Sequence, residues 1–111
     1  MQGYMGKILR VDTCRRAAVE EKLSESMKER FVGGRGFAIK ILWEEVRGVD
    51  PLSPENKLVF ALGPLTGQAI PSSSKMVIAT KSPLHGGYVD ANIGGRAPVH
   101  MKQAGYDVVI L

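Results

Sequence analysis

The sequence has the length and composition of one small folded unit. It contains 111 residues, of which 44% are hydrophobic and 23% are charged, as is ordinary for a globular protein. A chain of this length predicts a single domain over residues 1–111. No apolar run approaches the roughly 20 residues that a membrane helix needs, and the first residues lack the apolar core of a signal peptide. We therefore expect a cytoplasmic protein without a membrane partner.

Charge and cysteine content argue against several kinds of site. The net charge is +4, with 15 Lys and Arg against 11 Asp and Glu. These cations are scattered and many have an acid nearby, whereas nucleic-acid binding needs clustered cations, so we predict no nucleic-acid partner. The single cysteine, Cys14, permits neither an intramolecular disulfide nor an all-cysteine iron–sulfur or zinc site within one chain.

The first half of the chain predicts a hairpin followed by two helices. Residues 7–11 alternate apolar and polar side chains, and residues 15–21 can return beside them as a second strand. Ser24 is placed to cap a short helix that runs to about Phe31. A second helix is predicted over residues 36–46, because its apolar side chains recur at helical spacing on one face. These are Phe37, Ala38, Ile41, Leu42 and Val46.

The second half of the chain predicts strands at residues 57–62, 75–80 and 88–90, a helix over 96–104, and a last strand at 107–111. Strands and helices mix along the chain without a regular strand–helix–strand repeat. We therefore predict an α+β fold with mixed or antiparallel sheets and a few short helices.

Common catalytic and nucleotide-binding motifs are absent. The glycines of residues 33–36 follow a predicted helix and lack the spacing of a dinucleotide-binding loop. His85, His100 and Cys14 show no metal-ligand spacing, which favours ordinary solvated or structural side chains. Residues 72–74 are three serines, but the sequence ties no base to them. We predict no catalytic residue in this chain.

Two loops remain as candidate binding elements, one ending at Lys75 and the other containing Gly94, Gly95 and Arg96. A glycine pair at the start of a helix lets backbone N–H groups approach an anion, and the two cations can pair with a phosphate. By themselves, these residues favour a plain turn and helix start over an anion site.

Several groups of residues add to this reading by their order and spacing along almost the whole chain. They are Gly6 with Arg10-Val11; Gly34-Arg35-Gly36 with Ala38; residues 49–58; residues 63–67; residues 80–84; Ala91-Asn92 with Gly94-Gly95; and residues 104–107. In this register they resemble the N-terminal domain of the aldehyde ferredoxin oxidoreductase family, over about its first half.

The resemblance implies a cofactor and a reaction. Family members oxidise aldehydes to carboxylic acids and pass the electrons to ferredoxin through a [4Fe-4S] cluster. Their tungsten, or molybdenum in close relatives, is held by two pyranopterins whose phosphates a magnesium ion bridges, above a sheet-based N-terminal domain. Later domains carry the cluster cysteines and the acid/base residues. The resemblance thus predicts tungstopterin or molybdopterin with magnesium, no iron–sulfur cluster in this chain, and ferredoxin as a partner only through a complete enzyme.

The resemblance also implies site residues. Lys75 stands where the family has an arginine that contacts the pterin, and Gly94 matches a glycine with a backbone contact. Asn92 matches an asparagine near the magnesium and phosphates, which makes it a candidate magnesium ligand. With the neighbouring Gly95 and Arg96, these residues form the predicted cofactor-binding set.

The sequence departs from the family pattern at these same loops. Residues 73–75 are Ser-Ser-Lys in place of Gly-Gly-Arg, and lysine lacks the bidentate fork of arginine. Ile93 replaces a small polar residue, and residues 96–98 replace an aromatic-rich stretch. These changes favour the alternative of a non-catalytic structural or interaction protein that kept the fold and lost the cofactor.

Residues 107–111 form the basis of an expectation about partners. They are mostly apolar and stand at the end of the chain, which suggests a strand with an unpaired edge that can template another chain. We therefore expect association with itself, as a homodimer or higher oligomer, or with a catalytic subunit. Alone, the chain is predicted to be inactive as an oxidoreductase.

Overall fold

The computed structural model describes residues 3–111, which form a six-stranded sheet with three helices. In chain order the elements are β1 (Lys7–Asp12), β2 (Ala17–Lys22), α1 (Glu25–Phe31), α2 (Arg35–Glu45), β3 (Val59–Leu62), β4 (Met76–Lys81), β5 (Tyr88–Ile93), α3 (Ala97–Gln103) and β6 (Val108–Ile110). None of the helices described here is long and apolar enough to cross a membrane.

The strands lie in the order β2-β1-β6-β3-β4-β5, and every neighbouring pair is antiparallel except the parallel pair β1–β6. The predicted α+β class is confirmed, with one mixed sheet. The expectation of an unpaired edge at residues 107–111 is wrong, because β6 is central. Val108 pairs with Ile8 of β1, and Ile110 pairs with Val59 of β3. An apolar run reports burial of a strand's faces and not whether its edges are paired, so the sequence of residues 107–111 could not show that β6 is central.

Local side-chain contacts set the ends of the first elements. In the turn between β1 and β2, the carboxylate of Asp12 accepts hydrogen bonds from the N–H groups of Cys14 and Arg15, at 3.0 and 3.2 Å. Ser24 caps α1, since its hydroxyl accepts a 3.1 Å bond from the N–H of Met27. The hairpin and the capped helix predicted from the sequence are therefore confirmed.

Helices α1 and α2 cover one face of the sheet and form the core with it. All five apolar residues predicted to share one face of α2 are buried. They pack against side chains from the central strands, and Met27 and Phe31 of α1 join the edge of this cluster. The strand residues in the core are Ile8, Val59, Ala61, Val77, Ala79, Val108 and Ile110.

The opposite face of the sheet, which we call the open face, carries apolar side chains that are only partly covered. Phe60 lies at its centre, paired with Ile78 on one side and Val109 on the other. Towards the β5 edge, Val89 is 39% exposed and Ile93 is 40% exposed. Because strand residues alternate between faces, these side chains point away from α1 and α2.

Asp107 is fully buried, and its carboxylate accepts three hydrogen bonds. It accepts hydrogen bonds from the N–H groups of Met5 and Gly6, at 3.1 and 2.7 Å, and from the ammonium of Lys102 at 2.9 Å. Lys102 is also buried and donates to the carbonyl of Gly3 at 2.9 Å. A buried charge pair needs these extra bonds to offset its desolvation.

The backbone of Asp107 extends this network into the sheet. Its N–H donates to the carbonyl of Lys7 at 3.0 Å, and its carbonyl accepts from the N–H of Leu62 at 2.9 Å. The ammonium of Lys102 adds a third bond, to the carbonyl of Gly63 at 3.0 Å. Thus the N-terminal segment, the start of β1, the end of β3 and α3 all meet at one residue.

We expect the substitution Asp107→Asn to lower the free energy of unfolding by about 3–5 kcal/mol, because it leaves the ammonium of Lys102 buried without a counter-charge. Urea denaturation followed by circular dichroism measures this loss. Asp12→Asn is the matched control, since Asp12 also accepts two backbone bonds but is exposed, and it should change stability by less than about 1 kcal/mol. Equal losses in the two variants would contradict the role of the buried pair.

Candidate functional site

The structure brings the two predicted loops together. β4 begins at Met76, which pairs with Ile93 at the end of β5. Continuing this antiparallel register by one step places Lys75 opposite Gly94. The cation and the glycine predicted from separate stretches of sequence therefore lie side by side at one end of the sheet.

A contact between the loops closes this end. The hydroxyl of Ser74 donates a hydrogen bond to the carbonyl of Gly95. Gly95 has a φ of +80°, in the region that glycine tolerates best. A Cβ atom on Gly94 would lie 3.4 Å from the carbonyl oxygen of Ser74, so the two backbones are at van der Waals distance.

Asn92 lies in a strand rather than in the loop where it was expected. The sequence indicated a strand over residues 88–90 only, whereas β5 extends to Ile93. Asparagine is disfavoured in strands, but here the pairing with β4 overrides that preference. Asn92 pairs with buried Val77, so both lie on the face of the sheet that bears α2. Its side chain is exposed.

The start of α3 agrees with the prediction, and it leaves Arg96 accessible. The helix begins at Ala97, with Arg96 as its N-cap residue and buried Pro98 in the first turn. No side chain caps this end. Arg96 is exposed beside the Gly94–Gly95 turn.

A cavity of about 260 Å³ lies next to Lys75, between the end of β3 and the start of α2. Its lining includes Gly33, Gly34 and Gly63 as well as Lys75. Buried Thr66 fixes the backbone here, because its hydroxyl donates a 3.1 Å bond to the carbonyl of Lys75. Glycines give this wall exposed backbone and no bulky side chains, a surface that a large ligand can approach closely.

The start of α2 is held tightly against the end of β3. The N–H of Gly34, the N-cap residue, donates to the carbonyl of Leu62 at 3.0 Å. A Cβ atom on Gly33 would lie only 2.8 Å from the Cα of Gly63 and 2.9 Å from the oxygen of Leu62. Only glycine fits at position 33 without moving one of the two backbones.

A cluster of three polar side chains links the first turn of α2 to β5. The Nε of Arg35 donates to Asp90 at 2.6 Å, and the hydroxyl of Tyr88 donates to the same carboxylate oxygen at 2.7 Å. The Tyr88 hydroxyl, followed by the Arg35 guanidinium, holds the pKa of Asp90 below its usual range. Burial, followed by the Asp90 carboxylate, raises the pKa of Tyr88. At neutral pH the cluster is therefore a carboxylate with two donors.

The charges at this end of the sheet are only partly compensated. Asp90 neutralises Arg35, but no ion pair within residues 3–111 includes Lys75 or Arg96. Two exposed cations near glycine backbone suit an anion such as a phosphate. The amide oxygen of Asn92 is a hard ligand of the kind that magnesium accepts, with phosphate oxygens as natural co-ligands.

The other candidate ligands lie apart from one another. Cys14 is in the β1–β2 turn, His85 is in the turn between β4 and β5, and His100 is in α3. Across the described part of the chain, no group of three or more His, Cys, Asp and Glu side chains is placed to hold a metal ion. What the site does offer is a set of binding groups for an anionic ligand, namely Lys75, Arg96 and the glycine backbone.

Comparison with known proteins identifies the family. The family model described as "Aldehyde ferredoxin oxidoreductase, N-terminal domain" matches residues 8–111. The chain belongs to the aldehyde ferredoxin oxidoreductase family. The resemblance in the sequence motifs is thereby confirmed.

Curated relatives match this family member from end to end. Tungsten-containing aldehyde ferredoxin oxidoreductases from Pyrococcus abyssi and Pyrococcus horikoshii are 46% and 45% identical over 112 residues. The "Aliphatic sulfonate oxidoreductase, WOR-like subunit" of Pyrococcus furiosus is 40% identical over 115 residues. In each case the alignment covers all of this chain but only 18% of the relative, so the chain spans less than a fifth of their length.

A solved structure of similar fold supports the assignment. It is titled "Active site complex BamBC of Benzoyl Coenzyme A reductase in complex with 1,5 Dienoyl-CoA", and it matches with a TM-score of 0.94 and 33% sequence identity. The match covers 98% of this chain and 17% of that chain. The six-stranded sheet with its helices is thus also found in a much longer protein.

Sequence reasoning missed part of this family member's candidate site. The sequence indicates no site role for Gly33 and Gly34, because the glycines of residues 33–36 lack the spacing of a dinucleotide-binding loop. The structure places Gly33 and Gly34 beside Lys75, which is 41 positions further along the chain than Gly34. A local signal did exist, since a glycine pair directly precedes a well-predicted helix that has no capping side chain.

We expect Gly33→Ala to lower the free energy of unfolding by about 2 kcal/mol, because the added methyl group forces the start of α2 away from Leu62 and Gly63. Gly48→Ala is the matched control, since a Cβ atom at Gly48 meets nothing within 4 Å. Urea denaturation of both variants measures the difference. If Gly33→Ala is as stable as Gly48→Ala, the close approach of α2 to β3 is not a constraint.

Proposed function

We propose that this chain binds the pterin cofactor of an aldehyde ferredoxin oxidoreductase, as tungstopterin or, in its place, molybdopterin, with a magnesium ion at the phosphate end. The main support is the convergence of Lys75, Asn92, the Gly94–Gly95 turn and Arg96 at one end of the sheet. There, two exposed cations lack a carboxylate partner within the described residues, and glycine backbone is accessible beside them.

In this proposal each residue has a binding role. Lys75 and Arg96 pair with phosphate oxygens, and Gly94 and Gly95 let the bulky pterin approach the backbone. Asn92 offers its amide oxygen to the magnesium ion or, through its NH₂ group, a hydrogen bond to a phosphate. The cofactor, when bound, supplies the tungsten centre at which an aldehyde is oxidised to a carboxylic acid. The side chains of this domain only hold and orient it.

We further propose that the rest of the chemistry resides outside these 111 residues. The relatives that match are more than five times as long, which leaves room for the iron–sulfur cluster and the acid/base residues. Ferredoxin is then a partner of the complete enzyme only. We assign the assembled enzyme to the cytoplasm.

The open face supports a proposal about partners. Its apolar side chains, centred on Phe60, are partly exposed, and exposed apolar patches commonly mark interfaces. We propose that this face packs against a second copy of the chain or against a catalytic subunit. The edge of β6 is not available for such a contact, because β6 is central in the sheet.

One observation favours the alternative of a structural protein that lost the cofactor. The hydroxyl of Ser74, at a position where the family has glycine, bonds to the carbonyl of Gly95 and closes the loop from within. A loop whose polar groups already form hydrogen bonds within the chain has less need of a ligand. Cofactor content therefore decides between the two functions.

We expect Lys75→Glu to reduce the tungsten or molybdenum and pterin that copurify with the protein by about tenfold or more, because the new charge repels phosphate. The measurement is elemental analysis with pterin fluorescence on protein produced in a host that makes the cofactor. Lys22→Glu, the same change on the opposite edge strand β2, should leave the content unchanged. Wild-type protein without metal or pterin would favour the structural alternative.

We expect Val89→Glu to weaken self-association or binding to a catalytic subunit, because it places a charge on the open face. Light scattering at micromolar concentration and coelution with the subunit measure it. The control is Ile39→Glu, since Ile39 is similarly exposed, at 46%, but lies on α2. A wild-type monomer with no partner, or an effect of Ile39→Glu alone, would contradict this choice of surface.

A further inference from the structure

The end of β5 that carries Asn92 has support from only one side of the sheet. β5 is an edge strand, paired with β4 and with no strand beyond it in the described sheet. Asn92 is the penultimate residue of this strand, and the glycines of the turn follow directly. Edge-strand ends open easily, because few contacts resist local unfolding. Beyond the ladder and the bond from the Ser74 hydroxyl to the Gly95 carbonyl, a second support from outside the sheet would fix Asn92 relative to Lys75.

The pair Arg35–Asp90 supplies that second support. Asp90 stands two residues before Asn92, so both lie on the face of β5 turned towards α2. Its carboxylate accepts two hydrogen bonds from Arg35, one from Nε at 2.6 Å and one from a terminal guanidinium nitrogen at 3.4 Å. The Asp90 side chain is only 14% exposed, whereas that of Arg35 is 58% exposed. Tyr88 donates a further bond to the same carboxylate and limits its rotation.

Arg35 can act as a fixed reference because the two residues before it are held against the end of β3. It is the first residue of α2, directly after Gly34, whose N–H is bonded to Leu62. The preceding glycine is in close contact with Gly63, and Lys75 lines the cavity beside the same turn. The start of α2 therefore adjoins Lys75 and also contacts β5 through the Arg35–Asp90 pair.

We infer that Arg35 and Asp90 are positioning residues, which set the placement of Asn92 and the Gly94–Gly95 turn relative to Lys75. This inference rests on the proposed function, because those residues matter together only if they hold one ligand. In a chain without the pair, the end of β5 moves independently of α2. Lys75 and Asn92 then no longer contact the same phosphate–magnesium group.

The experiment uses two readouts on the whole chain. The first is amide hydrogen exchange over residues 88–95 without ligand. The second is the dissociation constant for inorganic pyrophosphate in the presence of magnesium, followed by the amide NMR shifts of residues 92–96. Arg35→Ala should speed exchange over 88–95, leave exchange in β3 unchanged, and weaken pyrophosphate binding about fivefold.

Rescue distinguishes positioning from a general loss of stability. Arg35→Lys keeps the charge without the fork and should fall between wild type and Arg35→Ala in both readouts. Arg35→Asp places two carboxylates together, and the double variant with Asp90→Arg should recover protection and affinity by restoring the pair. Arg15→Ala, which removes an exposed Arg–Asp pair in the β1–β2 turn, is the matched control and should change neither readout.

Each result decides the matter. Unchanged exchange over residues 88–95 in Arg35→Ala, or no recovery in the swapped pair, would overturn the inference. So would faster exchange in β3 by the same factor, since the pair would then act on global stability. If wild-type protein shows no pyrophosphate binding, the proposed function fails at this site, and the exchange data alone decide whether the pair positions the turn.

Discussion

The fold depends most on one buried ion pair, Asp107 with Lys102. Asp107 uses its carboxylate to hold the N-terminal segment and its backbone to hold the start of β1 and the end of β3. The ammonium of Lys102 also donates hydrogen bonds to the carbonyls of Gly3 and Gly63. Because both charges are out of water, each is tolerable only while the other and these bonds are present. The pair thereby specifies where the last strand enters the sheet.

The entry of β6 between β1 and β3 has consequences for the site. It turns a hairpin and a meander, which are separate along the chain, into one sheet with a common helical layer. The end of β3 then meets the start of α2, where glycines allow backbone to pack on backbone. Lys75 and Asn92 flank this junction because β4 and β5 extend the same sheet. The candidate site thus adjoins a closely packed junction of backbone segments, and such rigid support helps a site to hold a ligand in one geometry.

The distribution of charge across this corner separates structural from binding roles. Arg35 is paired with Asp90 and is committed to the fold, whereas Lys75 and Arg96 remain available to an anion. The same division appears elsewhere, since Arg10 is committed to Glu45 and Glu21 far from the site. The proposed binding of a phosphate-bearing pterin would use these available cations. In the proposed function, this chain places the cofactor, and the chemistry belongs to the cofactor and to the rest of the enzyme.

The sequence alone determined the local structure and the family. Ser24 as a cap, the apolar face of α2 and the strand runs follow from contacts within a few residues, which periodicity reports directly. The family motifs marked Lys75 and Asn92. Only the tertiary structure decided that β6 is central, that Asn92 belongs to a strand, and that Gly33, Arg35 and Asp90 adjoin the site. The physical reason is distance along the chain: Arg35 and Asp90 are 55 residues apart, and Gly6 and Asp107 are 101 apart. No local pattern records such contacts, because they form only when the sheet brings the segments together.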